Sequence, residues 1–157
     1  MDWTTETTGD LLVFEAQAKD QNAAARLAVA ADVWAMAERE ILPRHQPDEW
    51  DVLRLEVWPD SGRTILFPAR DPYEERTDKA LAQVHWPSLQ DTWDACESDD
   101  SIDDDAFDAI VVGAVDLIIR ALKNSFDESG LRTRLRVDCY TYGEEHLGSF
   151  GKLVRDV

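Results

Sequence analysis

Cysteine is scarce in this 157-residue chain: Cys96 and Cys139 stand far apart, and no C-x-x-C spacing occurs. Two thiolates cannot complete a tetrahedral metal cage unaided, so the pair reads as two reduced thiols of an intracellular protein. Histidine is nearly as rare. His45, His85 and His146 are widely separated, with no H-x-x-x-H pair, and Glu144-Glu145-His146 has ligand types without a spacing that would converge them. G-x-S-x-G, G-x-G-x-x-G and the phosphate-binding loop are all absent, and no serine or cysteine has a recognisable nucleophile's setting. Catalytic residues, metal and cofactor are therefore expected to be none. No segment approaches the roughly 18 uninterrupted apolar residues of a membrane span. The N-terminus lacks the basic stretch and apolar core of a signal peptide. The expected location is the cytoplasm.

Positive charge is the other shortage. Sixteen Lys and Arg face 33 Asp and Glu, giving a formal net charge of −17. Direct binding to nucleic acid or to an anionic membrane surface is excluded as a default, because both demand positive charge. A cationic protein partner is favoured instead. Salt adaptation of an otherwise ordinary domain would also produce such a composition, as would mimicry of nucleic acid against a DNA-binding protein.

What is present is enough apolar material for one domain over residues 1–157: 44% of residues are hydrophobic and six are Trp. Residues 1–9 are polar and are expected to be loose. Leu11–Ala16 reads as a short strand. From Ala23 to Leu42, Leu27, Ala30, Ala31, Trp34, Ala37 and Ile41 recur at helical spacing, and Pro43 and Pro47 end the helix. Leu53, Leu55 and Val57 alternate with Arg54 and Glu56, then Pro59-Asp60-Ser61-Gly62 turns the chain back into Arg63–Phe67, which makes a hairpin. Tyr73–Val84 suggests a short helix, and Leu89–Cys96 a short helix or loop. Leu131, Thr133, Leu135, Val137 and Cys139 alternate with Arg132, Arg134 and Arg136, predicting a strand over 131–141 with an arginine-lined face. That face is either an anion site or an ion-paired surface. The glycine-bearing tail from Gly143 reads as an edge strand or loop. The expected class is α+β: an antiparallel sheet with two main helices packed on it.

The densest charge lies between Asp94 and Asp108, where eight of fifteen residues are acidic and none is basic: Asp94, Glu97, Asp99, Asp100, Asp103, Asp104, Asp105 and Asp108. This ramp opens the most apolar segment of the chain, and the spacing predicts a helix over 102–125. Ser101 is the expected N-cap, and Asp103–Asp105 would sit at the positive end of the helix dipole. Phe107, Ile110, Val111, Ala114, Leu117, Ile118, Ala121 and Leu122 form the expected apolar face. Gly113, mid-helix, suggests close packing against a neighbour. The ramp is no calcium loop: counting from Asp99 puts Asp104 where glycine belongs and Ile110 where glutamate belongs. Its carboxylates, with Trp86 and Trp93 at its margin, are the candidate partner-binding residues, since aromatics amid charge commonly anchor interfaces.

From Trp34 onward the order of elements carries a resemblance. Pro47-Asp48-Glu49-Trp50, Val52–Trp58, Asp60-Ser61-Gly62, Thr64–Phe67 and Phe107–Lys123 together resemble the YezG-type immunity proteins, small acidic partners of bacterial polymorphic toxins. The resemblance implies a protein that acts by binding and blocking a toxin domain, with no catalytic residues of its own. The competing expectation is an enzyme whose site forms only in three dimensions, which would need a deep pocket gathering His or Arg with carboxylates.

Overall fold

The computed structural model describes residues 3–8, 11–16, 22–44, 50–71, 80–142 and 145–152; for 3–8, 11–16 and 133 the description is of the backbone. Seven strands form a single sheet: β1 (Trp3–Thr8), β2 (Leu11–Ala16), β3 (Val52–Trp58), β4 (Arg63–Ala69), β5 (Ala82–His85), β6 (Arg136–Thr141) and β7 (Glu145–Gly151). Their spatial order is β1-β2-β5-β4-β3-β6-β7. Four of the joins are antiparallel, while β2–β5 and β3–β6 are parallel. Three helices complete the α+β fold: α1 (Ala23–Met36), α2 (Pro87–Glu97) and α3 (Asp104–Phe126).

The expected hairpin is present as β3 and β4, paired in register from Val52↔Ala69 to Trp58↔Arg63. Gly62 closes its turn at φ +64°. Residues 3–8, expected to be loose, instead pair along β2. Four of the six are threonine, a β-branched residue that suits an extended backbone without giving an apolar alternation. Residues 82–85 form strand β5 and not the end of a helix, and residues 72–79 lie outside the described residues. Pro87 starts α2 at the first helical position, where a missing N–H costs nothing. The 131–141 strand begins only at Arg136. Gly130–Thr133 is a tight helical turn, capped by the Ser129 hydroxyl.

One sheet face carries the core. Leu53, Leu55, Val57, Leu66, Val84, Val137 and Cys139 pack there against Val29, Val33 and Trp34 of α1 and Val111, Val115, Ile118, Leu122 and Phe126 of α3. Trp34 is the hinge of this packing. Its ring meets Phe126 and Phe150 edge-on, at 4.9 and 5.8 Å, and its indole N–H donates to the Leu122 carbonyl at 2.7 Å. The buried face of α3 is rotated from the expected one. Val115 and Phe126 are inside, while Ile110 and Leu117 are exposed. Gly113 also faces open space: a Cβ there would meet nothing within 4 Å, so close packing is not its role.

The opposite face is not a solvated one. Arg54 and Glu56 are each 1% exposed and pair at 2.8 Å. On β6 their register neighbours are Asp138 and Tyr140, both buried, and the Arg54 guanidinium lies 3.7 Å over the Tyr140 ring. Alternation correctly placed Arg54 and Glu56 on one side of β3, but that side is interior too.

Candidate partner-binding site

The structure divides the acidic ramp into three parts. Asp94 and Glu97 lie in the last turn of α2, Asp99 and Asp100 in the connection, and Asp103–Asp105 and Asp108 at the start of α3. All eight carboxylates are exposed. The cap of α3 is Asp103, whose side chain accepts from the Ala106 N–H at 2.8 Å; it is not Ser101. Ser101 instead donates its hydroxyl and backbone N–H to Asp99 at 2.6 and 3.0 Å. These hydrogen bonds, the hydroxyl's first, hold the Asp99 carboxyl below its usual range. Capping explains Asp103, and the dipole favours Asp104 and Asp105. Asp94 and Glu97 sit at the opposite, negative end of a helix, where anions are disfavoured. Gln90 donates to Asp94 at 3.1 Å and the Trp93 indole to Glu97 at 2.9 Å, which offsets part of that.

Trp86 and Trp93 separate sharply. Trp86 is 0% exposed, its indole N–H donating to the Thr64 hydroxyl at 2.8 Å. It belongs to the core beneath α2 and cannot anchor a partner at the surface. Trp93 is half-buried and packs edge-on against Phe107 at 4.8 Å, tying α2 to α3.

Trp93 and Phe107 help line a groove of about 450 Å³. One wall is α3, with Asp108, Val111, Val112, Val115, Asp116 and Ile119. The other is the end of the sheet, with Thr141, Tyr142, Glu145 and Leu147. The lining is thus an apolar and aromatic interior with Asp108, Asp116 and Glu145 among it. Of its residues, Asp108 and Trp93 belong to the sequence-predicted set; others share α3 with Asp108, while Pro59, Thr141, Tyr142, Glu145 and Leu147 come from segments too distant to be joined by sequence spacing. Val112, 58% exposed, is the most exposed of the large apolar side chains among the described residues, and Ile110 and Leu117 are exposed on another side of α3. One signal for this face was available: α3 is apolar around much more of its circumference than one buried face requires.

Tyr142 lines the groove from the strand-end side. It is 38% exposed, stacks edge-on with Trp58 at 5.4 Å and holds φ at +52°. A left-handed backbone on an aromatic residue is uncommon, and such strain clusters at functional sites. Partial burial, then the nearby Asp60 and Asp108 carboxylates, push its phenol pKa up.

The arginine stripe does not form. Arg132 turns back to the Asp127 carbonyl at 2.8 Å, and Arg134 ends the tight turn, exposed. Arg136 alone is on β6, bridging Asp71 and Asp138. Burial draws its pKa down, but the hydrogen bonds to these two carboxylates more than offset it, and the net direction is up. Asp138 also accepts from the Ser149 hydroxyl at 2.6 Å, and His146 lies 3.3 Å from that hydroxyl. The Ser149 hydroxyl is thus shared between the Asp138 carboxylate and the His146 ring. Among the described residues no group of three His, Cys, Asp or Glu could hold a metal ion, and no helix is long and apolar enough to cross a membrane. Comparison with protein-family models, with curated proteins and with solved structures gave no match.

Proposed function

We propose that the chain is an immunity-type binding protein that neutralises a basic toxin domain, a nuclease being the class that best fits, by occluding it in the cytoplasm. One observation carries this reading: a groove with apolar and aromatic walls and interspersed carboxylates lies against the densest negative charge of the chain. Nucleases present cationic clefts to phosphate, and a carboxylate surface competes for such a cleft. The exposed ramp supplies long-range attraction, which accelerates encounter. The groove supplies desolvated contacts, which set the off-rate. The YezG-type resemblance points the same way. Capping and the helix dipole, which account for Asp103–Asp105, do not account for Asp94 and Glu97.

The test is a binding and protection assay with the toxin domain encoded beside this gene. Changing Asp94, Glu97, Asp99 and Asp100 to Asn or Gln should lower the on-rate and flatten its salt dependence, with the off-rate less affected. Trp93→Ala should raise the off-rate and cost on the order of 2 kcal/mol. Association that is unchanged between low and high salt, with full protection by the neutralised variant, would refute the proposal.

A further inference from the structure

The groove carries charge of one sign. Asp108, Asp116 and Glu145 line it, and among the described residues no lysine, arginine or histidine does. Asp108 and Glu145 enter no ion pair with any described residue. Asp116 pairs with Arg120 at 2.9 Å, but both side chains are more than half exposed, and such pairs contribute little. An incoming ammonium group can take the place of Arg120 there.

The helical wall also sets a length. Asp108 and Asp116 stand eight residues apart on α3, about 12 Å along the helix axis. Between them, Val111 and Val115 are buried and Val112 is exposed. This wall is therefore an apolar stretch with a carboxylate toward each end, and Glu145 adds a third negative charge from the facing wall. A volume of about 450 Å³ lies within the ~300–1,000 Å³ usual for small-molecule sites, which share this make-up of apolar lining with a few polar groups. A metal ion would leave the valines uncovered, and the described residues offer no three-ligand cluster for one. A monoamine would answer only one of the two aspartates.

We infer that the groove binds a linear aliphatic polyamine, its terminal ammonium groups at Asp108 and Asp116 and its methylene chain laid along Val111, Val112 and Val115. Burial of the methylenes supplies affinity, and charge pairing at two fixed points selects the length of the chain. The inference does not depend on the protein partner proposed above, although the two would compete for the same apolar wall.

The experiment titrates the full chain at low salt with spermidine, diaminooctane, diaminopropane and octylamine, read by calorimetry and by backbone amide NMR shifts. Spermidine and diaminooctane should bind, with the largest shifts at Val111, Val112, Val115 and Tyr142. Diaminopropane has the same charge as diaminooctane but is too short to reach both aspartates. Octylamine has the same chain but a single charge. Each should bind at least tenfold more weakly than diaminooctane. Asp108→Asn and Asp116→Asn change exposed side chains, so Tm should hold, and each should weaken diaminooctane binding about tenfold. Neutralising Asp94, Glu97, Asp99 and Asp100 together should change it by no more than about twofold. Equal binding of the short diamine, shifts confined to the ramp, or an equal loss in the ramp variant would reveal mere counter-ion attraction and overturn the inference. Failure of spermidine and diaminooctane to bind would overturn it too. Tighter binding of an oligolysine peptide, with the same groove shifts, would assign the groove to a protein partner instead.

Discussion

The pair Arg54–Glu56 makes a demanding test of the interior. Both side chains are 1% exposed and their charged atoms are 2.8 Å apart. Removing one partner leaves the other's charge in the interior, which typically costs about 3–5 kcal/mol. Replacing both with apolar residues of similar volume is often neutral, because the desolvation of both charges is relieved at once. Arg54→Met and Glu56→Leu should therefore each destabilise by about 3–5 kcal/mol, and the double variant by clearly less than the sum of the two. At about 2.1 cal/mol/K per residue, 157 residues give an unfolding entropy of about 0.33 kcal/mol/K, so each single change should lower Tm by about 9–15 °C. Denaturant unfolding of the four proteins closes the cycle, with an expected coupling of about 2 kcal/mol or more. Single variants costing under about 1 kcal/mol, or a double equal to the sum of the singles, would show that the pair does not behave as a buried one.

Two glycines should respond in opposite directions. Gly113→Ala meets open space in the middle of α3 and should stabilise by up to about 1 kcal/mol, read as a raised Tm. Gly151→Ala should destabilise, since φ is +81° and the new methyl would meet the Leu135 carbonyl oxygen and the Phe126 ring. Thr64→Val should cost about 1–3 kcal/mol in chemical denaturation, because it leaves the buried Trp86 indole N–H without its 2.8 Å acceptor. Burial, reinforced by Asp138, pushes the Cys139 thiol up to about 12. The unfolded thiol ionises first as pH rises, so this contribution is intact below about pH 8.5 and is lost between there and about pH 12. Denaturation from pH 8 to 10 should show the decline, with a shallower slope in Cys139→Ala, and alkylation of Cys139 at pH 8 should require unfolding.

The hairpin and the long helix were legible because each carries apolar residues into the core at the right period, at Leu53–Leu55–Val57 and at Val111–Ile118–Leu122. β1 was not, since threonines alternate with nothing. Arg54 and Glu56 looked solvated because polar residues on one face of a strand usually mean water, whereas here both faces are buried. Leu131 and Thr133 continued the alternation of β6 by chance, in a turn whose start is set by the Ser129 cap. For the candidate site, charge density pointed to the connection between α2 and α3, beside which the groove lies. The groove itself escaped notice, since it joins Pro59, Phe107, Tyr142 and Leu147, which meet only once α3 lies across the sheet. Trp86 and Trp93 have similar neighbours in sequence. What divides them is Thr64, an acceptor supplied from another strand.

The two parallel joins bear on how fast this chain can fold. β1–β2, β3–β4 and β6–β7 are hairpins whose ends are close along the chain and can form within microseconds. β2 must wait for β5, and β3 for β6, across sequence separations of 70 and 84 respectively, counted from Leu12↔Ala82 and Val52↔Arg136. Closing such loops costs entropy before any contact repays it, which places the rate toward the slow, millisecond-to-second end for small domains. During synthesis β3 leaves the ribosome well before β6, with one pairing edge waiting for a strand not yet made. Substitutions at the β3–β6 join that act on this closure would slow folding, whereas those confined to contacts formed after it would speed unfolding.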